Sequence, residues 1–323
     1  MLAAASQRPG LLTTGLLLGL FVASLVAAVL ATGWQETADA LGRLSLWHAA
    51  LLLVLSLGNY LARAARWHHL ARSAGLPTGF SQNTRHYLGG FALTATPGRL
   101  GELVRLRWLG RETGWPIDRT APLALADRAS ELAAVALLLA LAVGLSALGL
   151  GFVWPLIALS LVLAWAASSP RFLYRAVTLC WRILGRWGRL FARLRRVAAG
   201  LAPFLRPRAG LPALALGALG WFFEGLAFYL LLDWLGAPLP LWTAVAIFLA
   251  AMISGALAGL PGGLGGAEAA MIAMLALADV PLEIALPATA IIRATTLWFA
   301  ILIGLGIFPI AEARSRQNRP GDA

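Results

Sequence analysis

The chain has 323 residues, of which 60% are hydrophobic and only 12% charged, with a mean hydropathy of +0.78 and a formal net charge of +12. These values exclude an ordinary soluble domain and leave little room for a separate catalytic one. A single cysteine, Cys180, excludes an intramolecular disulfide, and the absence of lysine excludes a Walker A loop and a Schiff base.

Apolar segments at 11–31, 44–62, 119–146, 150–168, 210–234, 240–259, 262–278 and 284–309 read as membrane helices. The first is too long for a signal-peptide core and is expected to be retained. Segment 81–96 carries Arg85 and His86, and 100–110 carries Glu102, Arg105 and Arg107. Each charge at a helix centre costs roughly 2.5–3.5 kcal/mol, so 81–110 is predicted to be a re-entrant hairpin rather than a span. Its centre, Pro97-Gly-Arg-Leu-Gly-Glu102, recurs as Pro261-Gly-Gly-Leu-Gly265, and 240–278 is expected to be the matching hairpin, either re-entrant or, with its more apolar arms, fully spanning. Pro116 and Pro281, and Arg128 and Arg293, repeat at an offset of 165.

The predicted fold is an all-α polytopic membrane protein with six full spans and two re-entrant broken-helix hairpins. The first repeat covers 1–168, a basic linker 169–208, and the second repeat 209–323. With the N-terminus inside, the inner connections hold Arg63, Arg66, Arg72, Arg99, Arg105, Arg107 and Arg111, ten arginines in 171–208, and Arg314, Arg316 and Arg319. The outer connections hold only Arg43, as the positive-inside rule requires. Three spans per half invert the second repeat relative to the first. Both termini are then cytoplasmic.

Residues 171–200 are expected to form one interfacial helix. Arg171, Arg175, Arg182, Arg186, Arg189, Arg193 and Arg196 fall on one face, and Leu173, Ile183, Leu184, Trp187, Leu190, Phe191 and Leu194 on the other. It reads either as an anchor joining the halves or as a surface that gathers anionic lipid. The partners expected are therefore membrane lipids and not nucleic acid, with a homo-oligomer or a lipid-modifying enzyme left open.

Ionisable groups within spans are candidate functional residues. Asp127, Arg128 and Glu131 lie about ten residues past Pro116, and Arg293 lies twelve past Pro281, near mid-membrane depth. Arg128 and Glu131 are an i,i+3 pair, while Arg293 needs a partner such as Glu268 or Glu224. Glu224 aligns with Asn59 in the other repeat. Gly98, Gly101, Gly262, Gly263, Gly265 and Gly266 let backbone approach a ligand, Arg99 in the first turn is a further candidate contact, and two half-helix N-termini from opposite sides suit a phosphodiester. Ion pairs that merely hold the bundle together, and small-residue helix packing, are the competing readings. His48 and His86 look isolated, His68 and His69 diverge, and the thirteen tryptophans read as interfacial belts. No metal site, cofactor or catalytic motif is expected.

The segments PGRLGELVRLRWL (97–109), ADRASELAAV (126–135), LPGGLGGAEAAMIAML (260–275) and ATAIIRATTLWFAILIG (288–304) resemble the lysylphosphatidylglycerol synthase transmembrane, or flippase-like, family. The resemblance implies a multi-pass bacterial inner-membrane protein that moves lipids or lipid-linked glycans. The aminoacyl transferase domain of the full synthases has no counterpart here, so aminoacylation is not expected. Position 266, aligned with Glu102, is glycine, and the second acid comes two residues later at Glu268, so the two hairpins need not bind the same group. The favoured expectation is a passive or ion-coupled translocator of an anionic phospholipid or lipid-linked precursor. A carrier of a small organic anion, a membrane-embedded lipid-phosphate transferase and a non-transporting assembly factor are the alternatives.

Overall fold

The computed structural model describes residues 39, 42–94, 96, 100–146, 149–259 and 261–317. Every regular element among them is helical. The predicted first span, 11–31, lies outside the described residues.

The first repeat contains α1 (Leu46–Ser73), α2 (Phe80–Gly90), α3 (Gly101–Thr113), α4 (Ile117–Leu145) and α5 (Trp154–Ser168). After α6 (Pro170–Leu184) and α7 (Gly188–Ala199), the second contains α8 (Pro207–Trp234), α9 (Leu241–Leu257), α10 (Gly266–Leu277), α11 (Leu282–Arg293) and α12 (Phe299–Gln317). A π-helical turn, Ala294–Trp298, fuses α11 and α12 into one 36-residue stretch. Five stretches are long and apolar enough to cross a membrane: 46–73, 117–145, 150–168, 207–234 and 282–317. They correspond to five of the six predicted spans. At 1.5 Å per residue α2 and α3 reach only about 16 and 20 Å, well short of a hydrocarbon core.

Local sequence sets these boundaries. The Ser45 hydroxyl accepts from the His48 amide, and the His48 ring accepts from the Ser45 amide, a reciprocal cap that starts α1. Helices α4 and α11 both start directly after a proline, Pro116 and Pro281. Each contains a second proline at the matching place, Pro122 and Pro287, which removes a ladder hydrogen bond. The starts of α3 and α10 (Gly101, Gly266) and of α4 and α11 (Ile117, Leu282) are both 165 residues apart.

The hairpins are built alike. A Cβ on Gly101 would collide with the carbonyl of Gly90, and a Cβ on Gly255 would come within 2.6 Å of the Ala267 Cβ. Gly90 and Gly255 are themselves 165 residues apart, so both hairpins close their arms over a glycine.

Helix α9 forms the centre of the larger core. Residues Ala244 to Ala251 are at most 1% exposed, because α9 is apolar on every face and is enclosed by α4, α8, α10 and neighbouring segments. A second core joins α1, α2, α3 and the first half of α4.

Three expectations are corrected. Helix α1 runs to Ser73, so Arg63 and Arg66 are helical residues rather than loop charges; acids on α4 neutralise them. The 171–200 segment is two helices, because Gly185 and Trp187 both adopt left-handed φ values of 61° and 60°. Trp67 and Trp108 are fully buried instead of interfacial, and the Trp108 indole donates to Glu312 at 2.7 Å.

Candidate functional site

A cavity of about 390 Å³ lies where the two hairpins meet the long helices. Gly90, Gly101 and Glu102 reach it from the first hairpin, and Ala256, Gly262 and Gly263 from the second. Arg63 on α1, Arg105 on α3, Arg128 and Glu131 on α4, Glu224 on α8 and Arg293 on α11 complete its polar lining. Tyr60, Tyr87, Phe91, Trp221 and Leu132 supply apolar wall.

Glu131 is the keystone. Its carboxylate receives Arg63 at 2.6 Å, Arg128 at 2.8 Å and Arg66 at 3.3 Å. Asp127, four residues earlier on α4, holds Arg66 at 2.8 Å and lies 4.0 Å from Arg105. The Arg105 guanidinium stacks near both Trp67 and Tyr87, 4.7 and 4.4 Å from their ring centres. Five arginines (63, 66, 105, 128, 293) thus face five acids (102, 127, 131, 224, 268), a balanced set when all are ionised. Arginine stays charged throughout.

Each hairpin carries its own ionic contact to the neighbouring long helix. Glu102, in the first turn of α3, pairs with Arg128; Glu268, in the first turn of α10, pairs with Arg293 at 2.5 Å. Arg293 also donates to the carbonyl of Gly262 at 2.9 Å, tying it to the second turn itself. Glu268 therefore makes the same kind of contact as Glu102 despite its shifted sequence position. Immediately after Arg293 the π-helical turn loosens the backbone ladder, and the Tyr60 hydroxyl donates to the carbonyl of Thr296.

Of the residues singled out from the sequence, Gly101, Glu102, Arg105, Arg128, Glu131, Glu224, Gly262, Gly263 and Arg293 line this one cavity. Asp127 sits behind its wall, against Arg66, and Glu268 reaches it through Arg293. Gly265 holds the left-handed turn before α10 with φ 81°. Gly98 and Arg99 fall outside the described residues. The expected Arg128–Glu131 pair forms, and Arg293 takes Glu268 rather than Glu224. Glu224 makes no ion pair within 4 Å among the described residues; Asn59, its repeat counterpart, packs against Gly220, one turn earlier on α8. Arg175, Arg182, Arg186, Arg189 and Arg193 lie on α6, α7 and their junction, away from the cavity.

Sequence reasoning missed Tyr60, Arg63 and Arg66. Their spacing with Asn59 places them along one side of α1, a polar stripe that would have flagged them. It also took His86 as isolated, whereas Glu112 collects His86 at 3.1 Å, Arg85 at 2.9 Å and Gln82. Burial opposes ionisation of Glu112, but the His86 and Gln82 hydrogen bonds and the Arg85 charge outweigh it and hold the carboxyl below its usual range. His68 and His69 are likewise engaged, with Asn83 and with the Ala209 carbonyl.

Chemically, the cavity offers guanidinium donors to an anionic oxygen and carboxylates that must give them up first. Arg128 is the most open of its arginines, its side chain 29% exposed. The Nε atoms of Arg63 and Arg128 and one terminal nitrogen of Arg105 have no acceptor among the described residues. No curated protein matches the chain. Residues 15–304 match the family described as "Lysylphosphatidylglycerol synthase TM region". That match spans most of the 323 residues, and the chain belongs to this family.

Proposed function

We propose that the protein is a lipid translocator that carries a phosphate-bearing headgroup through the cavity while the acyl chains stay in the bilayer. The single observation that supports this most is that both hairpin tips meet at one cavity through paired ionic contacts, Glu102–Arg128 and Glu268–Arg293. Its volume falls within the range of sites that hold one small ligand. Membership of a lipid-handling family supports the substrate class.

In this reading an incoming phosphate competes with Glu102 for Arg128 and frees the first hairpin from α4. Passing on to Arg293 displaces Glu268 and frees the second. Because the two contacts are alternatives to ligand, each state of occupancy weakens a different gate, which is the differential interaction that alternating access needs. The substrate is an anionic phospholipid or lipid-linked precursor, transport is downhill or ion-coupled, and the chain is a carrier rather than an enzyme. The proposed setting is a bacterial inner membrane with both termini cytoplasmic.

The test is reconstitution in liposomes with labelled phospholipids of several headgroup classes. Scrambling above that of empty vesicles is expected, and Arg128→Gln should slow it about tenfold, the worth of one charge-assisted hydrogen bond. No scrambling of any class, with or without a pH gradient, overturns the proposal. Uptake of a soluble organic anion in its place would reassign the cavity to a small-solute carrier.

A further inference from the structure

We infer that α6 and α7 form a docking surface for an anionic bilayer, separate from the cavity. No residue of helix α6 is fully buried; its first turn touches the rest of the bundle, Leu173 partly against the second core and Phe172 on Trp165. Helix α7 is attached through Phe191 and Ala198 and through Arg196, which bonds Asp118 at 2.8 Å. Large apolar side chains stand free along both helices and the break between them, with Ile183 75% and Trp187 68% exposed. Exposed apolar surface of this extent marks an interaction site.

Charge and position identify the occupant. Residues 169–208 hold ten arginines and no acid, so a second copy of the same surface is repelled. At 100° per residue Arg171, Arg175 and Arg182 fall within about 40° of one another, and Leu173, Val177, Cys180 and Leu184 face the other way. Helix α6 begins at Pro170, immediately after the apolar stretch that ends at Ser168, so it leaves that stretch at the membrane boundary. An anionic bilayer surface receives both faces: headgroups take the guanidiniums, and the acyl boundary takes the apolar side. The left-handed residues Gly185 and Trp187 allow α6 to lie at its own angle while α7 remains fixed to α4 through Asp118.

The chain supplies its own probe, because Cys180 is its only cysteine, is exposed, and sits on the apolar side of α6. The full-length protein labelled there with an environment-sensitive fluorophore is reconstituted in phosphatidylcholine vesicles with or without about 30% phosphatidylglycerol. Collisional quenching from the aqueous side is expected to fall about fivefold or more in the anionic vesicles. Replacing Arg175, Arg182 and Arg186 together by glutamine should abolish that difference, as should about 0.5 M salt. Since Arg175, Arg182 and Arg186 are all exposed and make no ion pair among the described residues, the triple variant is expected to keep its fold, which circular dichroism checks directly. Equal quenching in both vesicle types overturns the inference, and so does protection that disappears at one protein per vesicle, which would assign the surface to self-association. A lipid-dependent signal in a protein that moves no lipid would sink the translocation proposal and leave this inference standing.

Discussion

Neutralising Glu131 tests whether it is the residue that holds α1 against α4. In Glu131→Gln, Arg66 keeps Asp127 and Arg128 keeps Glu102, but Arg63 loses its only carboxylate within 4 Å among the described residues. The Glu131 side chain is 7% exposed, so solvent cannot replace what is lost. Breaking a buried pair from one side costs about 3–5 kcal/mol, since a desolvated charge is left uncompensated. For a chain of 323 residues that lowers the melting temperature by about 4–7 °C. Adding Arg63→Gln removes the stranded charge and should return about 1–3 kcal/mol, a positive coupling between contacting sites. Thermal unfolding of purified protein in detergent, followed by circular dichroism, measures all three variants. A Glu131→Gln protein melting within about 2 °C of the parent, or a double variant no better than the single one, refutes the assignment of Glu131 as keystone.

Glu268→Gln frees the Arg293 guanidinium toward the cavity and should raise affinity for a phosphate-bearing lipid while slowing its release; equilibrium binding and scrambling measured on one preparation read the two effects separately. Tyr60→Phe removes the donor that meets the Thr296 carbonyl and should destabilise by about 1–3 kcal/mol, visible as faster amide exchange at the π-helical turn. Gly101→Ala drives a methyl into the Gly90 carbonyl and should spread the first hairpin, detected as faster amide exchange along α2 and α3 than in the parent. The Glu112 carboxyl is held down in the folded chain, so its contribution is complete above the ordinary value of 4.5 and fades as pH falls through the lowered folded value. Acid should therefore loosen the α2–α3 hairpin of the parent, and Glu112→Gln should flatten that part of the stability profile.

Much of this site was legible in the sequence because its signals were local or repeated. Arg128 and Glu131 are three residues apart, and the Pro-Gly turns announced both hairpins. Arg63 and Arg66 were read as loop charges because nothing near them offers an acid. Their partners lie on α4, and the Arg66–Asp127 contact spans 61 residues of chain. Glu268 looked out of register when positions alone were compared, yet a long side chain in the first turn of α10 still reaches Arg293. The single helix expected over 171–200 stops at Gly185, a left-handed glycine cap that the sequence did offer, and the turn is completed at Trp187, whose left-handed backbone no propensity rule anticipates. Tryptophan count could not reveal which indoles are enclosed; Trp108 is enclosed because Glu312, 204 residues away, accepts its N–H.

Helix α9 has a consequence for any motion of the molecule. Enclosed by apolar neighbours from Ala244 to Ala251, it offers no polar track there on which a neighbour could slide without opening voids. In the proposed transport cycle it would serve as an axle, leaving displacement to the ion-paired parts: α2, α3 and the α1–α4 contact. Two halves that share turns and helix starts at a common offset would then divide the labour, one as bearing and the other as moving arm.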